Sequence, residues 1–128
     1  MRLLLDTHVA IWAVLMPERI PEQVRTVIAN SDDVWVSVVA IWEIAIKHGL
    51  GRPGAPPFSA DQAIAEFESA TFKLLNVSAA HAAFVGRLPP IHADPFDRLL
   101  IAQALVEPMR LVTKDSRLAE YSETVITW

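Results

Sequence analysis

Short apolar segments alternate along this chain with longer segments of helical pattern, and this alternation constrains the fold more than any other feature. Three leucines at residues 3–5 open the series, similar strand-like segments lie at 34–36, 73–77 and 111–113, and a closing edge strand is predicted at 125–126. Strands that alternate with helices pair in parallel, and the helices cover both faces of the sheet. The sequence therefore predicts an α/β fold with a mostly parallel central sheet of four to five strands flanked by helices.

Capping and breaking residues set the ends of the predicted helices. Ser37 can cap a helix from about 38 to 48 that Gly49 would end. Asp94 followed by Pro95 starts a helix that runs to about residue 106. The remaining helices are predicted at residues 8–16, 21–30, 59–71, 78–88 and 116–121.

Length and composition limit the class of protein. At 128 residues the chain fits one domain, predicted to span residues 1–128, and has no cysteine for disulfides, thiolate metal sites or a cysteine nucleophile. Although 52% of the residues are hydrophobic, the longest near-continuous apolar stretch, Val34–Trp42, is too short to cross a membrane. The apolar run before Asp6 is too short for a signal peptide. We therefore expect a cytoplasmic protein without a membrane partner.

Four carboxylates occupy the positions where an α/β fold gathers its ligands. Asp6, Glu43, Asp97 and Asp115 lie at or just beyond the ends of apolar segments, and ligands of parallel sheets bind outside the carboxyl ends of the strands. Carboxylates brought together repel one another unless a cation separates them, and hard oxygen ligands suit Mg²⁺ or Mn²⁺. This pattern predicts a metal site and, as a hypothesis, a metal-dependent nuclease.

Each acid also has a plainer interpretation. Asp6 and Asp115 could cap the helices that follow them, and Asp97 could lie in the first turn of a helix whose cap is Asp94, where the helix dipole favours an acid. Glu43 could pair with Lys47 at i,i+4. The helix around Glu43 is apolar nearly all round, however, so we favour a functional role for this acid.

Basic and histidine residues near the acids suggest further roles. Four basic side chains are neighbours of the acids in the sequence and could hold a phosphate: Lys47, Arg98, Lys114 and Arg117. The histidines show no metal-ligand spacing. The pattern predicts that His81 lies on a helix surface; His92, close to Asp94 and Asp97, could contact substrate, although a structural role is favoured.

Four sequence blocks together resemble a known family. They are LLLDTH at residues 3–8, SVVAIWEI at 37–44, HADPFDRLLIAQA at 92–104 and LVTKD at 111–115. In this order they resemble the PIN-domain ribonucleases, in particular the VapC-like toxins of bacterial toxin–antitoxin pairs. Between residues 53 and 87 only the helical pattern agrees.

The resemblance implies a function and a set of site residues. It implies an endoribonuclease in which one or two Mg²⁺ or Mn²⁺ ions activate water, held by the acids Asp6, Glu43, Asp97 and Asp115. Thr7 and Thr113 are implied as supporting hydroxyls, and Asp94 as a second-line candidate. Family members tend to be inhibited by a small antitoxin laid across the active-site groove and to form homodimers, so we predict that Trp12 or Trp42 lies at a dimer or antitoxin contact.

Two other functions remain open at this point. A non-catalytic PIN-like binding module would be expected to lack one of the acids, whereas this chain has all four. A DNA-directed nuclease could use the same scaffold, and the sequence does not distinguish DNA from RNA. The sequence shows no interleaving of aromatic residues of the kind that stacks RNA bases, so we expect substrate choice to depend on RNA shape around the metal site.

Overall fold

Four parallel strands form the central sheet, in the order β3–β2–β1–β4. The computed structural model describes residues 1–128. The strands are β1 (Leu3–Leu5), β2 (Val34–Ser37), β3 (Lys73–Leu75) and β4 (Arg110–Val112). Leu5 at the end of β1 pairs with Val36 of β2 on one side and with Val112 of β4 on the other. The predicted parallel α/β fold is confirmed, and the carboxyl ends of β1, β2 and β4 lie next to one another.

The predicted fifth strand contributes only one bridge. Ile126 pairs in parallel with Val112, donates its backbone N–H to Leu111 O at 2.8 Å and accepts from Thr113 N at 3.0 Å. The segment thus extends the sheet beside β4 at a single residue. A two-residue apolar run is sufficient for this bridge but too short to continue the hydrogen-bonding ladder.

Six α-helices and three short 3-10 helices surround the sheet. The α-helices are α1 (Thr7–Leu15), α2 (Glu22–Asn30), α3 (Val38–Leu50), α4 (Ala60–Ser69), α5 (Ala79–Phe84) and α6 (Pro95–Val106). The 3-10 helices cover Pro17–Arg19, Val85–Arg87 and Ser116–Tyr121. The predicted helix at 78–88 therefore becomes α5 followed by a 3-10 turn, and the one predicted at 116–121 is a 3-10 helix.

Caps explain where α3 and α6 begin and where α3 ends. Ser37 accepts from Val39 N at 3.0 Å, and Asp94 accepts from Phe96 N at 2.8 Å, as the sequence predicts. The predicted end of α3 at Gly49 is wrong. The helix continues to Leu50, and Gly51 provides the left-handed C-cap with φ of 61°, a conformation that glycine adopts without a steric penalty.

The alternating side chains of β1 belong to two cores, one on each face of the sheet. Leu3 and Leu5 pack in a cluster that includes Ile44 and Phe67, whereas Leu4 packs with Leu100 on the other face. Successive side chains of a strand point to opposite faces, so a fully apolar β1 requires helices on both. None of the helices combines the length and apolar character that a membrane-spanning helix requires.

Candidate active site

All four predicted acids line one cleft beside the carboxyl ends of β1 and β4. Asp6 directly follows β1 and Asp115 follows β4, whereas Glu43 projects from α3 and Asp97 from the first turn of α6. The cleft has a volume of about 370 Å³. Its other lining residues are Thr7, His8, Trp12, Lys47, Asp94 and Lys114. The fold thus brings together acids that are up to 109 positions apart in the sequence (115 − 6).

Asp6 is buried and fixed from two sides. One carboxylate oxygen accepts from Val9 N at 2.9 Å, which makes Asp6 the N-cap of α1, and the other accepts from the Thr113 hydroxyl. Thr113 Oγ1 also accepts from Asp115 N at 3.0 Å and so connects the acids of β1 and β4. Burial raises the pKa of the Asp6 carboxyl, and the hydrogen bond from Thr113 partly offsets this increase.

Glu43 combines the predicted ion pair with a position in the cleft. Its side chain is buried, with Oε1 accepting from the Thr7 hydroxyl at 2.7 Å and Oε2 accepting from Lys47 Nζ. The i,i+4 pair is therefore present, but its acidic member lies inside the site rather than on an exposed face. The Lys47 ammonium offsets the charge of Glu43, so this carboxylate already has a cationic partner within the protein.

His92 joins two of the acids. Its Nδ1 accepts from Asp94 N at 3.1 Å, so the ring proton is on Nε2, which lies 2.8 Å from Asp115 Oδ2 and 3.3 Å from Asp97 Oδ2. The ring is only 7% exposed. Ligand atoms of His92, Asp97 and Asp115 all lie within 4.8 Å of one another. Because Nδ1 accepts from Asp94 N and Nε2 carries the ring proton, His92 contacts the two acids as a hydrogen-bond donor rather than as a metal ligand.

Asp115 is both a helix cap and a charge-paired acid. Its Oδ1 accepts from Arg117 N at 3.0 Å, and the Arg117 guanidinium donates to both carboxylate oxygens at 3.1 and 3.2 Å. The hydrogen bonds from Arg117, together with the one from His92, lower the pKa of Asp115 to about 2. This carboxylate is therefore ionised across the physiological pH range.

The ionised form of the Asp97 carboxyl is disfavoured in the site. Burial raises the pKa of its carboxyl to about 7, and repulsion by Asp94, Asp6 and Glu43 contributes to the increase. Asp94 is the N-cap of α6, and its side chain accepts hydrogen bonds from the backbone N–H groups of Phe96 and Asp97. A cation bound beside this buried carboxyl would favour its ionised form, because it would offset both the burial and the repulsion by the other acids.

The side chains of the cleft fit a hard divalent cation. Its acidic donors are all carboxylate oxygens, and the raised pKa of Asp97 reflects first its burial and then repulsion by the neighbouring acids. Oxygen donors of this kind are the ligands that Mg²⁺ and Mn²⁺ prefer. The assignment of Asp6, Glu43, Asp97 and Asp115 as metal ligands stays a prediction. His92 is part of the same site because it contacts Asp97 and Asp115.

Replacing Asp97 by Asn is expected to stabilise the metal-free protein at neutral pH. The folded protein keeps the Asp97 proton up to about pH 7, whereas the unfolded chain releases it near 3.8, so this group's contribution to stability falls as the pH rises between these values. Because 24% of the side chain is exposed and solvent screens the repulsion, we expect Asn to add about 1–2 kcal/mol at pH 8.

Urea unfolding of both proteins in EDTA at pH 4 and pH 8 measures this difference. At pH 4 the two midpoints should nearly coincide, which serves as an internal control. Added Mg²⁺ should stabilise the wild type more than the variant, because Asn removes one charged ligand. A variant less stable than the wild type at pH 8 would contradict the electrostatic explanation.

Arg98 and His81 lie in different surroundings from those predicted. The Arg98 guanidinium points behind the cleft, where it donates to the carbonyls of Val85, Pro89 and His92 at 3.2–3.3 Å and to Tyr121 Oη at 3.3 Å. The structure therefore does not place it with the phosphate-binding candidates. The prediction that His81 lies on a helix surface is wrong: the ring is 1% exposed and its Nε2 bonds to Glu107.

Sequence reasoning gave too little weight to His92 and missed His8 and Trp12 as lining residues of the cleft. For His92 the available signal was its position two residues before Asp94 in the turn that leads to α6. Its partner Asp115 is 23 residues away, and no local pattern identifies that contact. His8 and Trp12 are one helical turn apart on α1, directly after Asp6, and this spacing could have placed both beside the site.

Comparisons with known proteins agree with the fold. A family model described as PIN domain matches residues 3–123. The chain is 32% identical over 120 residues to Ribonuclease VapC22 of Mycobacterium tuberculosis (strain ATCC 25618 / H37Rv), covering 92% of this chain and 90% of that protein.

Two solved structures of similar fold contain VapBC proteins bound to DNA. VapBC2 from Rickettsia felis, bound to a DNA fragment from its promoter, superposes with a TM-score of 0.67 at 16% identity over 100% of this chain and 98% of that one. DNA-bound VapBC from Salmonella typhimurium gives 0.66 at 18% identity over 100% and 97%. At these identities the likeness concerns the fold.

Proposed function

This chain belongs to the PIN domain family, and we propose on that premise that it is a metal-dependent endoribonuclease acting as the toxin of a toxin–antitoxin pair. The observation that carries the proposal is the convergence on one cleft of carboxylates from α3, from α6 and from the segments directly after β1 and β4. The relative named as a ribonuclease covers most of the chain, which supports RNA as the substrate. The VapBC complexes of similar fold support a small antitoxin as partner.

The side chains of the cleft have separate roles in the proposed hydrolysis of RNA. Asp6, Glu43, Asp97 and Asp115 would hold one or two Mg²⁺ or Mn²⁺ ions, and a bound ion supplies activated water and offsets charge on the phosphate and leaving oxygen. The Thr113 and Thr7 hydroxyls and the His92 ring orient these carboxylates through hydrogen bonds.

Lys114 is suited to contact the phosphate. It lines the cleft and makes no ion pair, whereas Lys47 and Arg117 are paired with Glu43 and Asp115. An unpaired ammonium beside a cluster of acids can attract the phosphodiester, which the acids alone would repel. Its flexible side chain can follow the phosphate as charge develops on it.

The proposal is tested by incubating purified protein with total cellular RNA in Mg²⁺ or Mn²⁺ and mapping the new RNA ends. Discrete ends that disappear in EDTA are expected, because the acids alone supply no activated water. Single-stranded DNA in a parallel reaction tests the DNA-directed alternative. A folded, antitoxin-free protein that cuts no RNA with either metal would favour the non-catalytic binding module.

An apolar stripe on α3 is proposed to form the homodimer contact. Trp42, Ile46 and Leu50 recur at i, i+4 and i+8 on one side of the helix and are 56%, 41% and 54% exposed. The Trp42 ring rests edge-on against Phe96, with 5.0 Å between centroids, which fixes its orientation. Self-association would remove this apolar surface from water.

The change Ile46→Glu is expected to convert the protein from a dimer to a monomer. A charge in the middle of the stripe would have to be buried without a partner on association. Light scattering should then report 14.2 kDa instead of twice this mass. Val77→Glu, at another exposed apolar residue outside α3, is the matched control and should leave the mass unchanged. An unchanged mass for Ile46→Glu would place the dimer contact elsewhere.

A further inference from the structure

We propose that single-stranded RNA flanking the cleavage point lies in a second groove, between α1 and the segment 54–57, with a base stacked on Trp12 and a phosphate held by Arg19. This inference rests on the proposed ribonuclease function and adds a binding site to it. The two residues proposed to contact the RNA, Trp12 and Arg19, are not among those assigned to the metal. It concerns the substrate's neighbouring nucleotides rather than the bond that is cut.

The groove is continuous with the acidic cleft. It has a volume of about 430 Å³ and shares Thr7, His8, Trp12, Glu43 and Lys47 with the cleft. Beyond these shared residues it runs past Arg19 and along the segment 54–57. A strand whose scissile phosphate lies at the acids therefore has a direct path into this groove.

Aromatic rings from both ends of the chain meet beside this path. The His8 and Trp12 rings lie 6.0 Å apart, and the Trp12 and Trp128 rings 6.5 Å apart, measured between centroids. The sequence shows no aromatic interleaving because these rings are brought together only by the fold. Unpaired bases stack on such rings with little dependence on base identity.

Two cations without ion-pair partners flank the indole rings. The Arg19 guanidinium lies 5.9 Å from the centroid of Trp12, and Lys114 Nζ lies 5.7 Å from that of Trp128. Neither is among the ion pairs of the protein. Arg19 is exposed and its planar group can bind a phosphate through two hydrogen bonds. The positive charge thus lies where a flanking phosphate would pass, although the chain as a whole is acidic.

The far wall of the groove is held in place before any ligand arrives. His48 Nδ1 lies 2.9 Å from the carbonyl oxygen of Pro56, and the buried Phe58 packs edge-on against Phe67 with 6.3 Å between centroids. Pro56 and Pro57 further restrict the backbone. A preformed wall lowers the ordering cost that a flexible RNA strand must overcome on binding.

Binding of a fluorescein-labelled, mixed-sequence twelve-nucleotide RNA to the Asp6→Asn protein, followed by anisotropy, tests the groove without cleavage. Adding Arg19→Gln is expected to weaken binding severalfold and to reduce the slope of log K against log salt by about 0.7, the value for one lost phosphate contact. Adding Trp12→Leu, which keeps an apolar side chain but removes the ring, is expected to weaken binding about tenfold.

Arg87→Gln is the matched control. Arg87 lies 5.7 Å from the Phe84 ring in the same kind of arrangement as Arg19 and Trp12, but outside both the groove and the cleft. This variant should bind RNA like its parent. Circular dichroism and urea unfolding check Trp12→Leu for correct folding, and the exposed Arg19→Gln tests the groove even if Trp12→Leu is unstable.

Cleavage by the same variants in the wild-type background separates this inference from the proposed function. Here Arg19→Gln should raise KM with kcat changed less than about twofold, because Arg19 lies outside the acidic cleft. Trp12→Leu should also raise KM, and because Trp12 lines the cleft as well, its kcat is not used to judge the groove. Wild-type protein that cuts no RNA would overturn the ribonuclease function. The anisotropy experiment would still show whether RNA binds in the groove. RNA binding that is unchanged in both variants would overturn the groove as an RNA-binding site. If the same variants bound the antitoxin less tightly, the groove would instead be a protein-binding surface.

Discussion

The change Asp6→Asn is expected to reduce RNA cleavage at least about a hundredfold while the protein stays folded. Asn removes one ligand charge but keeps the volume and can still accept from Val9 N, so α1 retains its cap. Metal-ion catalysis contributes several kcal/mol of charge stabilisation, and each 1.36 kcal/mol corresponds to a factor of ten in rate. Single-turnover cleavage of a mapped RNA fragment measures the change.

Asp32→Asn provides the matched control for this experiment. Asp32 is exposed and precedes β2, near the amino ends of the strands, whereas the cleft lies at their carboxyl ends. It makes no side-chain hydrogen bond that would be lost, so full cleavage activity is expected. If folded Asp6→Asn protein kept wild-type activity in Mg²⁺, the assignment of Asp6 as a metal ligand would be wrong.

The change Arg98→Met is expected to lower the free energy of unfolding by about 1–3 kcal/mol. The guanidinium ties the carbonyls of Val85, Pro89 and His92 to α6, and Met keeps much of the aliphatic packing but donates to none of them. Leaving partly buried acceptors without donors carries a cost of this size. Urea unfolding of the metal-free protein measures the loss.

The same change should also affect the site indirectly. The segment held by Arg98 positions His92, and His92 contacts Asp97 and Asp115, so metal affinity should fall as well. Arg87→Met, which removes an exposed arginine from the neighbouring 3-10 helix, should change neither property by more than about 0.5 kcal/mol. Equal stability of the two variants would show that the carbonyl contacts of Arg98 contribute little.

The sheet and the acidic cleft could be predicted from the sequence because both follow from local patterns. The apolar run of β1 and the Asp94-Pro95 start of α6 are each contained within a few residues, and both have the predicted place in the structure. Parallel pairing then places Asp6 and Asp115 at one edge of the sheet without further information. The sequence alone therefore predicts the four acids as a set.

Contacts between distant residues account for what the sequence did not reveal. His81 meets Glu107 across 26 positions and His92 meets Asp115 across 23, and no periodicity within α5 or the following turn indicates these partners. The aromatic cluster is a stronger case, because Trp12 and Trp128 come from opposite ends of the chain. The choice between Gly49 and Gly51 as the end of α3 likewise depends on backbone conformation, which both glycines permit.

The hydrogen bond from Thr113 to Asp6 spans 107 residues and has a consequence for the synthesis of the protein. A ribosome releases β1 first and β4 near the end, so a growing chain carries Asp6 long before its partner exists. The proposed cleavage of RNA therefore requires β4 and the residues after it, and chains that end before β4 are expected to cut no RNA.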